Sequence, residues 1–213
     1  TSDNGRVQQW RENLRGEGVE EAHAVHCDVA DWDSCAAMAE EVRSHIGEVD
    51  ILVNNAGTTK DSSLKRMDKE SWDQVLRTNL DSVFNVTKQF SDDMAERGWG
   101  RIINVASING RKGQMGQCNY AASKAGMHGF TMSLAQELAR KGVTVNTVSP
   151  GYLATEMVMK LKDEVRQQII DIVPMKRLGE PREIASAVAY LAGDEAAYIS
   201  GANIDINGGL HMQ

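Results

Sequence analysis

Cysteine is scarce in this 213-residue chain, which holds Cys27, Cys35 and Cys118 and no others. Three scattered thiols build neither a disulfide framework nor a zinc knuckle, and reduced, partly buried cysteines of a cytosolic protein are the reading that remains. His23 and His26 do not restore a metal site, because side chains three apart on an apparent strand point to opposite faces. No apolar run approaches the ~20 residues that span a bilayer. The N-terminus, Thr-Ser-Asp-Asn-Gly, is polar, so no signal peptide is expected. Positive charge is also short: 23 Lys and Arg against 30 Asp and Glu give a net charge of −7. That excludes the basic footprint a nucleic-acid surface needs. Finally, no G-x-G-x-x-G run occurs anywhere.

What is present is a regular alternation. Apolar residues make up 41% of the chain, enough for one α/β domain over residues 1–213. The pattern predicts helices over 7–14 (closed by Gly16), 32–46 (capped by Asp31, stopped by Gly47), 71–97, 120–141, 162–172 and 181–191. It predicts strands over 22–27, 49–54, 101–106, 143–148 and 203–206. Val49-Asp50-Ile51-Leu52-Val53 is almost continuously apolar, as in a parallel strand covered on both faces. Strands separated by helices of this length imply right-handed βαβ units in a doubly wound parallel sheet of Rossmann type. Such a fold opens with a strand, a glycine-rich turn and a helix whose N-terminus receives a pyrophosphate. This chain starts at what reads as the loop after the second strand, so the first βα unit and the second strand, about 30 residues, are expected to be missing from it.

Three positions carry chemistry. Ser107 follows a strand, where ligands bind in open α/β sheets, and its hydroxyl can hydrogen-bond a carbonyl oxygen as charge develops there. Tyr120 and Lys124 are i, i+4 on one helical face. A phenol near pKa ~10 is a poor acid at neutral pH. A neighbouring ammonium is expected to pull that value down toward one useful in general acid catalysis. Alone, Tyr-x-x-x-Lys is as well explained as an exposed helix surface.

Taken together, Asn54-Asn55-Ala56-Gly57 after a strand, Asn79 in the next helix, Ser107, Tyr120-x-x-x-Lys124, Pro150-Gly151 and Ile206-Asn207-Gly208-Gly209 resemble, in order and spacing, the signature of the short-chain dehydrogenase/reductases. The resemblance implies that Tyr120 protonates a carbonyl oxygen, Ser107 orients the substrate, Lys124 tunes the tyrosine and holds the nicotinamide ribose, and Asn79 anchors a water leading to Lys124. It implies a nucleotide site of Arg6, Cys27, Asp28, Val29, Asn55, Ala56, Gly57, Thr58, Pro150, Gly151, Tyr152 and Leu153 beside Tyr120 and Lys124. Asp28 would meet the adenine amino group, Val29 pack on its ring, and Gly57 let the backbone approach the adenosine ribose. Arg6, helped by Ser2 and Asn4, would accept a 2′-phosphate, favouring NADPH. As plainer readings, Asp28 caps a turn, Asn55 shapes one, and Arg6 is a first-turn helix residue.

Within this family the segments 30–34, 85–89, 97–101, 109–117 and 128–132 are similar to the acetoacetyl-CoA reductases that supply (R)-3-hydroxybutyryl-CoA for polyhydroxyalkanoate synthesis. That likeness puts Asp61, Gln114, Met115, Gln117 and Tyr152, with Ser107 and Gly151, around an acetoacetyl thioester. It also implies a cytoplasmic homotetramer joined through helices 71–97 and 120–141, with residues 157–173 as a mobile lid. Two alternatives stay open: a 3-oxoacyl-acyl-carrier-protein reductase with the same catalytic set, and a cofactor-free remnant serving only as an oligomer partner.

Overall fold

The computed structural model describes residues 4–212. Ser2 lies outside the described residues, as does the side chain of Asn4. The chain begins with α1 (Asn4–Gly16) and continues through an irregular stretch to α2 (Trp32–His45), whose first turn is capped by the Asp31 carboxylate accepting from the Ser34 amide at 2.6 Å. Then follow β1 (Ile51–Asn54), α3 (Lys69–Leu76), α4 (Ser82–Arg97), β2 (Gly100–Val105), the short α5 (Asn109–Lys112) and α6 (Cys118–Leu138). After β3 (Val143–Pro150) come α7 (Glu156–Met159), α8 (Asp163–Ile172), α9 (Pro181–Ala192) and β4 (Asn203–Ile206).

The four strands are parallel, in the order β1-β2-β3-β4. Alternate side chains point to opposite faces. On one face Leu52, Ile102, Val143 and Val145 pack with Val86, Phe90 and Met94 of α4 and Ala135 and Leu138 of α6. On the other, Ile103 and Val148 meet Ile184 and Leu191 of α9. Each such fully buried side chain contributes about 1.5–3 kcal/mol. Helices on both faces of a parallel sheet are the doubly wound α/β arrangement expected. The cover is uneven, however: Ile51 and Val53, on the Ile103 face of the edge strand β1, are 45% and 40% exposed.

Two expectations change. Residues 22–27 are not a strand but run without regular structure. Their local pattern suits a strand, yet a strand needs a ladder partner for its N–H and C=O groups, and among the described residues none runs alongside. The opposite-faces argument about His23 and His26 lapses with it; among the described residues no group of three or more His, Cys, Asp or Glu is placed to hold a metal. The long helix expected over 71–97 is interrupted by one π-helical turn, Arg77–Asp81, between α3 and α4. Turns of this kind recur at functional sites, and this one holds Asn79.

Candidate active site

Beyond β2, the chain is stitched to β3 before it turns. The Ala106 amide donates to Val148 O at 2.8 Å and the Ile108 amide to Pro150 O at 2.9 Å. Ser107 is therefore fixed at the carboxyl end of the sheet, 8% exposed, its Oγ accepting from the Asn109 amide at 3.1 Å. With one lone pair occupied in this way, the hydroxyl hydrogen is left for another acceptor. Gly110 lets α5 seat directly on α6: a Cβ there would stand 2.8 Å from the Lys124 carbonyl carbon, closer than packed atoms approach.

Lys124 is 3% exposed, and its Nζ donates to Val105 O at 2.7 Å and lies 5.8 Å from the centroid of the Tyr120 ring. Burial lowers its pKa to about 8. The Tyr120 phenol is raised above its ordinary value, first by burial, against which the Ser107 hydroxyl pulls it down; the Asp61 carboxylate raises it further. The expectation that the lysine sets a low tyrosine pKa is thus not met in this arrangement. Burial, which disfavours the phenolate, dominates.

Asn79 is wholly buried. Its Oδ1 accepts from the Thr58 amide at 2.7 Å, and its Nδ2 donates to Thr58 O at 3.0 Å and to Ser123 Oγ at 3.1 Å. This clamps the strand-to-helix turn after β1, where Asn55, Ala56 and Gly57 are exposed and Thr58 is half-buried. A Cβ on Gly57 would lie 3.5 Å from both Asn79 Oδ1 and Lys124 Nζ, so the bare backbone at 57 faces the lysine. Asn79, Thr58, Gly57 and Lys124 are brought together as expected, and Tyr120 and Ser107 adjoin them.

The remaining nucleotide-site candidates are more scattered. Asp28 closes its own turn, Oδ1 accepting from the Ala30 amide at 3.0 Å, while Val29 packs on the core cluster and shares a small recess with Asn55 and Ala56. Cys27 Sγ lies 3.8 Å from the buried Cys35 Sγ. Gly151 is held by its amide on Ile206 O at 2.9 Å. Tyr152 and Leu153 line a cavity of about 420 Å³ with Arg177, Asp205 and His211. Arg6 sits exposed on α1, a helix that makes no extensive contact with another element.

Of the substrate-side candidates, Asp61 and Gln117 meet: Gln117 Nε2 donates to Asp61 Oδ2 at 2.8 Å. Gln114 instead accepts from Lys112 Nζ at 2.9 Å, and Met115 is 95% exposed. Sequence reasoning missed the residues that hold these in place. Asn109 Nδ2 donates to Gln117 Oε1 at 2.8 Å. Asn119, fully buried, caps the Tyr120 amide with its Oδ1 at 2.8 Å and ties Lys60 O with its Nδ2 at 3.1 Å. Beneath them a buried polar chain crosses the sheet: Asn54 Nδ2 to Asn104 Oδ1, Asn104 Nδ2 to Thr131 Oγ1, and Thr131 to Thr147, each at 2.8–2.9 Å. The signal available was polar residues at strand positions otherwise apolar.

Comparison with known proteins follows the same lines. A family described as Enoyl-(Acyl carrier protein) reductase matches residues 2–211. The chain belongs to the short-chain dehydrogenase/reductase family. It is 53% identical over 207 residues to a protein named acetoacetyl-CoA reductase from Cupriavidus necator, covering 97% of this chain and 84% of that one. It is 59% identical over 186 residues to a nodulation protein G from Azospirillum brasilense (87% and 76% covered). A 3-oxoacyl-[acyl-carrier-protein] reductase from Vibrio cholerae is 50% identical over 186 residues (87% and 77%). Reductases of this family use a nicotinamide cofactor.

The residues fit one end of such a nucleotide. Lys124 Nζ, with three hydrogens, donates to one backbone oxygen and faces the bare backbone of Gly57, which leaves donors and space for ribose hydroxyls. Among the described residues no glycine-rich turn leads from a strand into a helix, so they account for the ribose at that end and not for the pyrophosphate. As a family member the chain is an oxidoreductase with a half-buried phenol and a buried hydroxyl and ammonium at the carboxyl edge of its sheet.

Proposed function

We propose that this protein reduces acetoacetyl-CoA to (R)-3-hydroxybutyryl-CoA with NADPH, in the supply of monomer for polyhydroxyalkanoate synthesis. The observation that supports this best is the convergence of buried Ser107, Lys124 and Asn79 with half-buried Tyr120 in a chain that shares about half its residues with acetoacetyl-CoA reductases. The bound nicotinamide supplies the hydride. Ser107, with its oxygen already occupied by the Asn109 amide, donates its hydrogen to the 3-oxo oxygen. Tyr120 gives that oxygen its proton; as a group raised by burial it is fully protonated at neutral pH and so loaded for reduction. Lys124, held by Val105 O, stabilises the phenolate that results and binds the nicotinamide ribose. Asn79 holds the turn at Thr58 and a water leading from Lys124 to solvent.

Gln117, Gln114 and Tyr152 contact the thioester's acetoacetyl group, Met115 closes over it, and Asp61 and Gly151 frame it. Cys27, Asp28 and Val29 take the adenine, with Asn55, Ala56 and Gly57 along the ribose, Pro150 and Leu153 beside the carboxamide, and Arg6 at the 2′-phosphate. The exposed apolar side chains of α8, including Ile172 at 56%, suit a lid that closes on the acyl chain. Phe84 and Met132, each 52% exposed on α4 and α6, suit burial between subunits of a homotetramer. No helix among the described residues is long and apolar enough to cross a membrane, and we place the enzyme in the cytoplasm.

A second reading, reduction of 3-oxoacyl-carrier-protein in fatty-acid synthesis, keeps every assignment; likeness to the Vibrio cholerae protein favours it. NADPH oxidation measured with acetoacetyl-CoA, with a 3-oxoacyl-carrier-protein, and with NADH as control separates the two. Higher kcat/KM for acetoacetyl-CoA with NADPH is expected. Preference for the carrier protein moves the enzyme to the second reading, and no saturable NADPH binding leaves only the oligomer-partner role.

A further inference from the structure

Between Ser107 and the exposed carboxylate of Asp61 runs a chain of two carboxamides whose polarity has one solution. Asp61 can only accept, so Gln117 must turn its Nε2 toward it, at 2.8 Å. The Gln117 oxygen then faces Asn109, which must present its Nδ2, also at 2.8 Å. That leaves Asn109 Oδ1 buried without a donor, although Asn109 is only 8% exposed. The opposite polarity would give Asn109 Oδ1 a donor from Gln117. It would also set the Gln117 oxygen against the Asp61 carboxylate. The arrangement present is therefore not the one that satisfies Asn109; it is the one Asp61 imposes. The same Asn109 donates its backbone amide to Ser107 Oγ at 3.1 Å, so one buried residue touches both the hydroxyl and the amide chain.

We propose that Asn109 is a positioning residue: with Asp61 it fixes the direction of the Gln117 carboxamide, so that the spare Nε2 hydrogen of Gln117 is presented to a carbonyl oxygen of the 3-oxoacyl thioester. This rests on the reading of Gln117 as a substrate contact. The chemistry is matched, since the 3-oxoacyl thioester group offers two carbonyl acceptors and no donor, and a glutamine free to flip would present an acceptor half of the time. Ser107 is served by the Asn109 backbone, which a side-chain substitution leaves in place. Loss of the relay should therefore appear in substrate binding more than in the chemical step.

Steady-state kinetics with acetoacetyl-CoA and saturating NADPH, paired with thermal melting, test this on the full chain. Asn109→Asp puts an acceptor at both ends of Gln117; KM should rise about tenfold while kcat stays within about threefold, as expected for a loss of binding common to ground and transition states. The double variant Asp61→Asn with Asn109→Asp rebuilds the chain in reverse, the new Asn donating and the new Asp accepting. Its melting temperature should return to that of the wild type while KM stays raised. Gln117→Ala is the reference and should raise KM at least as much as Asn109→Asp. An unchanged KM in Asn109→Asp, or a double variant with wild-type KM, overturns the proposal. If Gln117→Ala also leaves KM unchanged, the assignment of Gln117 to the substrate has failed as well; if Gln117→Ala raises KM alone, only the relay has failed.

Discussion

The two ends of the site are held in different ways. Around Tyr120 and Lys124 the polar side chains are buried and tied: Asn79, Asn119 and Ser123 are wholly inaccessible, and the Asn54–Asn104–Thr131–Thr147 chain runs beneath them. Around 28–29 and 55–57 the backbone is largely exposed, the adjoining stretch forms no ladder, and β1 shows Ile51 and Val53 to solvent. A group whose proton affinity matters has to be fixed in a low-dielectric setting by the folded chain itself. Around 55–57 the described chain offers a bare backbone with few side-chain partners, so substitutions there disturb little packing.

Substitutions at the buried end should therefore act on turnover and stability together, and those at the open end on cofactor affinity alone. Lys124→Met is expected to lower turnover about 100-fold or more, on the scale of a lost acid–base group. It should also reveal the cost of burying the charge. The lysine sits near 8 when folded against 10.5 as its ordinary value, so between those values the unfolded chain binds more protons and stability rises with pH. Below pH 8 the penalty, roughly 3 kcal/mol, is present in full. The variant should melt above the wild type at pH 7, with the gap narrowing toward pH 10, as followed by melting curves across that range. A constant gap would mean that the buried ammonium is not what titrates.

Asn104→Ala should cost about 2–3 kcal/mol of stability, because it removes one of two acceptors from Asn54 Nδ2, which keeps Thr87, and one of two partners from Thr131, which keeps Thr147; denaturant unfolding measures it. Arg6→Ala should be the mildest change, raising KM for NADPH by up to about tenfold with no change in melting temperature. A drop in stability there would erase the distinction between the two ends.

The legibility of the sequence divides along the same line. Tyr120 and Lys124 could be read as one face because helical periodicity is local, and the helices over 32–46 and 181–191 stand within a residue or two of expectation. The strand over 22–27 could not be read, since pairing depends on what lies beside it. The π turn at Arg77–Asp81 is invisible in a 3.6-residue pattern, although it positions Asn79. The roles of Asn109 and Asn119 are not legible locally, because they are set by partners eight to about sixty positions away. The tyrosine's pKa was misjudged for a related reason: the i, i+4 spacing brings a charge near, but says nothing of how deeply both groups are buried.

The central claim is that Tyr120 is the proton donor, acting in the chemical step more than in holding the nucleotide. Tyr120→Phe should be assayed for acetoacetyl-CoA reduction and, on the same protein, for NADPH binding by fluorescence. The expected result is a loss of reduction of about 10²–10⁴-fold with NADPH affinity changed by less than about tenfold. Retained turnover, or a loss explained by failure to bind NADPH, would contradict the assignment.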